Sequence, residues 1–356
     1  MSAVVEGGSA LAPAPSSRRM LTVYVGRTIL RTAVMVWMVA TVTFFVVRAL
    51  PGNPVDVYIQ QLVTAGASIE EAVARASTVL HIDLSEPLAL QYLAYLGNLA
   101  TGNLGESAVI APGTPVLGMI MARLPWTLFS VGVPLVLAFF VGLRLGTVAA
   151  YRRKGKVDNL LTTLSAVGDS IPAILLGIAL IFVLGVVWKV VPLDLLRGAY
   201  NPATTPGFNL PFIRSVLAHA AVPGLVYFLT SVGGWLILMR SSAISVLGED
   251  YVTSARARGL KEHRIRSAYV RRNARLPLVV GFAITLGFVV SGAVLIEAIF
   301  IYPGVGQLLA TALSRLDYTV MQGVVIVTTL TVLVATALAD ALYGWLDPRL
   351  RSRSRS

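Results

Sequence analysis

Residues 249–277 read EDYVTSARARGLKEHRIRSAYVRRNARLP. This stretch holds eight Lys/Arg and three Asp/Glu in 29 residues, and a long apolar run lies on either side of it. The rest of the chain is unlike it: 56% of all residues are hydrophobic, 13% are charged, and the mean hydropathy is +0.77. Soluble domains carry roughly 25% charged residues. The apolar runs reach 20 residues or more, enough to cross a hydrocarbon core of ~30 Å. The pattern indicates an all-α, multi-pass membrane protein. The alternating strands of an outer-membrane barrel are absent from the sequence.

Working outward from the basic stretch, the sequence predicts six spans: residues 28–47, 125–150, 160–187, 217–239, 276–300 and 318–346. Pro51 and Gly52 end the first. With the N-terminus placed in the cytoplasm, 22 Lys/Arg fall on the cytoplasmic side and 7 on the other. That asymmetry is the positive-inside pattern, and an even number of spans returns the C-terminus to the cytoplasm.

The same count argues against nucleic-acid binding as the reason for a net charge of +12, because the cations sit between apolar runs. No cysteine is present, which excludes disulfides and thiolate metal sites. Three scattered histidines, His81, His219 and His263, give no basis for a metal centre. The first 20 residues are rich in Ala, Ser, Gly and Pro and read as a disordered tail without the apolar core of a signal peptide. The first span then serves as an uncleaved insertion signal.

The outer segment 51–124 carries Asp56, Glu70, Glu71, Asp83, Glu86 and Glu106. IEEAVARASTVL and LALQYLAYLGNLA within it have helical apolar spacing. Two compatible readings are a packed cap over the spans and a docking surface or substrate entrance. Residues 192–216 read as an irregular outer loop.

Within the opening stretch, Glu249 and Asp250 suit a helix N-terminus, and Arg256 and Arg258 suit its end. Gly259 fits the position just past a helix C-terminus. A second short helix follows from Lys261, and Pro277 suits the first turn of the next span. The segment thus reads as helix, glycine turn, helix, with Tyr251, Val252 and Ala255 on one side. One reading is a topology anchor drawn to anionic lipid headgroups. The other is a docking element for a cytoplasmic partner, favoured because a charge anchor needs no tight turn.

The arrangement EDYVTSARARGL…RNARLP resembles the cytoplasmic loop of inner-membrane permeases of ABC importers, in the oligopeptide/dipeptide/nickel branch. Seven further stretches follow in family order: LPGNP, QYLAYLGNLATGNLGES, RLPWTL, GDSIPAILLGIAL, LIEAIFIYPGVGQLL, DYTVMQGVVI and LADALYGWLDPRLR. The resemblance runs from Arg27 onward. Thr253, Ser254 and Ala255 stand where the broader importer signature has Glu-Ala-Ala, and the spacing from Gly259 to Pro277 is longer; both features look usual for the peptide branch.

The resemblance implies a type I importer permease in a bacterial inner membrane. Residues 1–26 form its N-terminal tail, 27–347 its six-helix domain with the coupling loop at 240–276, and 348–356 a basic tail. It implies a coupling helix containing Glu249, Asp250, Tyr251, Val252, Ala255, Arg256, Arg258 and Gly259. It also implies a second related permease, two ATP-binding subunits that hold ATP and Mg, and an extracytoplasmic substrate-binding protein. No P-loop GxxxxGK[ST] occurs, so the chain has no ATP site of that kind, and no catalytic constellation is visible. The cargo implied is a di- or oligopeptide. Nickel, haem or another small ligand, or a non-transporting anchor or signalling role, are the alternatives.

Acids inside apolar runs are costly in lipid and mark interior or functional positions. Asp169, in a segment with Ser170 and the kink-forming Pro172, either faces the translocation path or pairs with a neighbouring span. Glu297 either bonds the YPGVG turn that follows it or contacts substrate. Asp340 is expected to pair with an arginine such as Arg144. Among the five tryptophans, Trp37, Trp126, Trp188 and Trp345 lie near span ends, whereas Trp235 is deeper and either packs or lines the path.

Overall fold

The computed structural model describes residues 17–49, 59–60, 62–80, 87–292 and 294–346. Residues 1–16 and 347–356 of the two terminal tails lie outside the described residues, as does the side chain of Asp340.

The first helix, α1 (Ser17–Ala49), is apolar from Ile29 to Val46. It starts inside the segment expected to be a tail. After Pro15 no proline interrupts the chain until Pro51, so the helix extends past its apolar part at little cost. Two outer helices, α2 (Ile69–Leu80) and α3 (Leu88–Ala100), match the two periodic stretches of the sequence. Tyr92 of α3 shares a 2.6 Å hydrogen bond with Thr41 of α1 and packs edge-on against Phe44, at 5.2 Å between ring centres. Helix α3 therefore packs on α1.

The second span, α4 (Val116–Tyr151), begins nine residues before the expected Pro125. Pro125 and Pro134 cannot donate to a regular helical ladder. Between them the helix widens to i→i+5 turns at Leu128–Gly132 and continues. The third expected span is two helices, α5 (Lys156–Ser170) and α6 (Ala173–Val187), bent by 93°. Pro172 forces Ile171 into extended backbone, φ −92° and ψ 116°. The expected kink is thus a full break.

The fourth span, α7 (Leu210–Leu247), is also longer than its apolar part. Asn209 caps it by accepting from the Phe212 amide at 2.9 Å. At 38 residues it is about 57 Å long, so its ends pass beyond a hydrocarbon core. The basic stretch follows as α8 (Asp250–Ala257) and α9 (Glu262–Ala274). Then come α10 (Leu276–Gly292), α11 (Val294–Ile299), the short α12 (Val305–Arg315) and α13 (Tyr318–Leu346). The last matches the sixth expected span. Four helices are individually long and apolar enough to cross a membrane, and up to six spans result if each of two bent pairs counts as one.

Helices α4 and α7 lie almost backbone to backbone. Gly142 and Gly146 form a small-xxx-small step on α4. A Cβ on Gly142 would lie 2.6 Å from the Trp235 Cβ and 3.1 Å from the Leu236 amide nitrogen. One on Gly146 would lie 2.8 Å from the Met239 Cβ and closer still to the Leu236 carbonyl oxygen. Beside this contact, buried Asp158 at the start of α5 takes two hydrogen bonds from Arg240 of α7, at 2.5 and 2.7 Å. It takes a third from the Lys154 amide at 2.9 Å. That pairing of a buried carboxylate with a half-buried guanidinium fixes α5 against α7.

Gly146→Leu is expected to lower the thermal unfolding midpoint of the detergent-solubilised chain, because the obstructing atoms are α7 backbone and the Met239 Cβ fixed to it, none of which can yield. Overpacking of this kind costs about 1–3 kcal/mol or more. A midpoint equal to that of the parent chain would show that α4 and α7 do not pack this way.

Candidate functional site: a basic helix–turn–helix fastened to the bundle

Helix α8 is a two-turn element with Glu249 as its first flanking residue, Asp250 in its first turn and Arg256 in its last. The acid and the base each oppose the helix dipole's partial charge. The helix ends at Gly259, whose φ of +74° is left-handed. The Gly259 amide bonds the Arg256 carbonyl at 2.9 Å, and the Leu260 amide bonds the Ala255 carbonyl at 3.3 Å. These two bonds are the Schellman pair, which satisfies carbonyls otherwise left open at a helix end. No atom lies within 4 Å of a Cβ built on Gly259, so backbone conformation alone selects glycine there.

One side of the motif is buried. Val252 and Ala255 of α8, and Ile265, Val270 and Ala274 of α9, are all fully enclosed. They pack in one cluster with Phe139 and Leu143 of α4, Met239 and Ala243 of α7, and Leu278 of α10. Ser242 donates to the Ala274 carbonyl at 2.7 Å, and Asn273 donates to the Tyr251 hydroxyl at 3.1 Å. Tyr251 is half-buried beside this core. The motif is therefore fastened to three long helices. Thr253, Ser254, Arg256, Arg258 and Gly259 face outward, together with Glu249 and Asp250. Among the described residues, the one charge pair on this face is Arg256 with Glu262 at 3.3 Å, an exposed contact of little energetic weight.

The residues singled out for a path do not form one cluster. Asp169 is exposed near the α5–α6 break and lies against α7, where a Cβ on Gly233 would come 2.9 Å from its Oδ1. Ser170 donates to the Ala166 carbonyl at 2.7 Å, and Pro172 marks the break itself. Trp235 packs edge-on against Phe139 at 5.1 Å and Phe282 at 5.9 Å.

Glu297 is elsewhere and is 1% exposed. One carboxylate oxygen accepts from the Thr127 hydroxyl at 2.8 Å. The other accepts from the Gly306 and Gln307 amides at 2.8 and 3.1 Å. Thr127 in turn accepts from the Val305 amide at 2.8 Å. The first amides of α12 are thus held by a buried carboxylate and a hydroxyl, a placement the helix dipole favours.

Sequence reasoning singled out neither the buried Asp158 nor a third buried acid, Asp317. Asp317 accepts from the Ser107 hydroxyl at 2.6 Å and from the Val109 and Ile110 amides at 3.0 Å each. The bonds tie residues 107–110 to the start of α13. The available signal was an acid placed directly before a long apolar run. Thr127 carried a weaker one, as a hydroxyl within such a run.

A family model described as "Binding-protein-dependent transport system inner membrane component" matches residues 142–352. The match covers the basic motif and every helix after it. The chain belongs to this family. Its relatives extend the match toward the N-terminus. The di/tripeptide transport system permease protein DppB of Pseudomonas aeruginosa (strain UCBPP-PA14) is 35% identical over 328 residues, covering 88% of this chain and 94% of the relative. The dipeptide transport system permease protein DppB of Escherichia coli (strain K12) is 32% identical over 331 residues, with the same coverage of 88% and 94%. The oligopeptide transport system permease protein AppB of Bacillus subtilis (strain 168) is 31% identical over 330 residues, 93% of this chain and 99% of the relative. As a family member the chain is an inner-membrane transport component, and the resemblance stated from its motifs holds over most of its length.

Thr127→Val is nearly isosteric but removes both the donor to Glu297 and the acceptor for Val305. It is expected to cost about 1–3 kcal/mol, the penalty for leaving buried polar groups unmet. Thermal unfolding of the solubilised chain measures this, and an unchanged midpoint would mean the clasp contributes nothing.

Proposed function

We propose that this chain is one of two permease subunits of an ATP-driven importer for di- and oligopeptides. Helix α8 and its glycine turn are the site gripped by an ATP-binding partner. The observation that carries this reading is the geometry of the basic motif. A rigid turn with an outward polar face is fastened through one apolar core to α4, α7 and α10. A push on α8 therefore moves three long helices together. The relatives' names, all of them peptide-system permeases, support the cargo class.

In this reading the chain crosses the membrane six times with both termini in the cytoplasm. The bent pair α5–α6 counts as one span; of the bent pair α9–α10, only α10 crosses, continued by α11, and α9 stays inside with the rest of the basic motif. The 22 to 7 distribution of Lys/Arg supports this orientation. ATP and Mg reside in the partner subunits. Closure of the two ATPases draws the α8 helices together and rocks the spans as rigid bodies between inward-open and outward-open states. A soluble binding protein delivers the peptide at the outer end. Asp169, Ser170, Pro172 and Trp235 belong to or border the path. Glu297 shapes its outer end by holding α12.

The docking role makes a graded prediction. A side chain with a Cβ in left-handed backbone costs roughly 1–2 kcal/mol, and asparagine tolerates it better than most. Gly259→Val should lose co-purification of the ATP-binding chains and peptide uptake, while Gly259→Asn should keep most of both. If Gly259→Val retained normal recruitment and uptake, the turn would not be the docking element.

Orientation is checked separately. Reporter fusions after Tyr200 and after Arg264 should report outside and inside respectively, and the reverse pair would invert the topology.

A further inference from the structure

A cleft of about 310 Å³ opens beside the basic motif, between α4 and α9. Arg144, Thr147 and Val148 line it from α4, and His263, Arg266, Ser267 and Arg271 from α9. Three guanidinium groups thus border one cleft with no carboxylate in its lining. Among the described residues none of the three forms an ion pair. The Arg266 guanidinium lies over the Tyr151 ring, 5.9 Å from its centre, which restrains it before any anion arrives. Like charges gathered around one cleft repel one another, and an anion relieves that cost.

The surface below the cleft identifies the kind of anion. Arg144 lies two residues from Gly142 and from Gly146, and so on the side of α4 opposite its crossing with α7 at those glycines. Val133, Leu137 and Phe140 share its face, lying within about 60° of it at 100° per residue. All three are exposed, at 45%, 54% and 55%. Leu137 and Val133 also line an apolar groove of about 290 Å³ between α4 and α7, with Leu217, Leu225 and Phe228. A cationic cleft therefore caps a continuous apolar stripe. Arg144 is seven residues, about 10 Å, from the end of α4, within snorkelling reach of the headgroup layer.

We infer that this cleft binds the phosphate headgroup of an anionic phospholipid, with an acyl chain along Val133, Leu137 and Phe140. Arginine suits the site because its planar fork matches phosphate oxygens. The lipid would bridge α4, one of the long spans, to α9, half of the basic motif. Headgroup charge in the surrounding bilayer then sets how firmly the motif is held to the bundle. The inference rests on the chain's membrane placement and does not require that α8 dock an ATPase.

The test uses the full-length chain in uncharged detergent, titrated with dioleoylphosphatidylglycerol or dioleoylphosphatidylcholine and read by native mass spectrometry. The anionic lipid should be retained at lower concentration than the zwitterionic one. Arg144→Gln should weaken it about fivefold and the double variant Arg266→Gln/Arg271→Gln about 25-fold, as expected at about fivefold per arginine near an anionic surface. Arg152→Gln/Arg153→Gln removes the same charge outside the cleft and should leave retention unchanged. Equal retention of the two lipids, or equal losses in the two double variants, would overturn the site. Full displacement by excess inorganic phosphate, which has no acyl chain, would overturn the lipid assignment. Unchanged lipid retention with lost co-purification of ATP-binding chains in Arg266→Gln/Arg271→Gln would give the cleft to a protein partner instead. Lipid is read on the chain alone and partner recruitment is read with Gly259→Val, so the two readings fail separately.

Discussion

The close approach of α4 and α7 at Gly142 and Gly146 positions much of what matters in this protein. Where two backbones pass with no room for a Cβ, the helices cannot slide or roll without a clash. The basic motif packs on residues that flank this contact. Phe139 and Leu143 surround Gly142 on α4, and Met239 and Ala243 follow on α7. Arg240, one residue past Met239, reaches back to Asp158 and sets the start of α5. The same crossing turns Arg144 outward.

This layout separates two tasks along the chain. At the basic end, an apolar core joins the helix–turn–helix to the spans, so a force on α8 is passed on rather than absorbed. At the other end, buried carboxylates do the fastening. Glu297 gathers the first amides of α12, and Asp317 gathers the amides of an outer loop. Apolar contact has little directional preference and holds by the area it buries. Carboxylates bonded to amides are directional and hold the irregular outer segments in one shape.

Several features were legible in one dimension because they rest on local physics. Periodicity alone located α2 and α3, and uninterrupted hydropathy located α13. The turn at Gly259 was also visible, since opposed charges and a glycine at the correct offset specify a helix end without reference to anything distant. Span ends were harder to read. Helices α1 and α7 run on beyond their apolar parts, because helix continuation depends on the backbone ladder and lipid contact does not. The break at Pro172 was visible as a proline, but its size of 93° depends on how α5 and α6 pack.

The sequence by itself determined the membrane class, the charged motif, its glycine turn and the family, because hydropathy, charge asymmetry and turn chemistry are written residue by residue. It also supplied Asp169, Glu297 and Asp340, since a carboxylate in an apolar run is conspicuous anywhere, but not Asp158 or Asp317, which lie at the edges of such runs. Only the tertiary structure decided what each acid meets. Glu297 finds Thr127, 170 residues away, and Asp317 finds Ser107, 210 residues away. Asp158 finds Arg240 across two helices. No local pattern encodes such partners, because each is chosen by where the helices cross, and that crossing is set by which side chains are small enough to let two backbones meet.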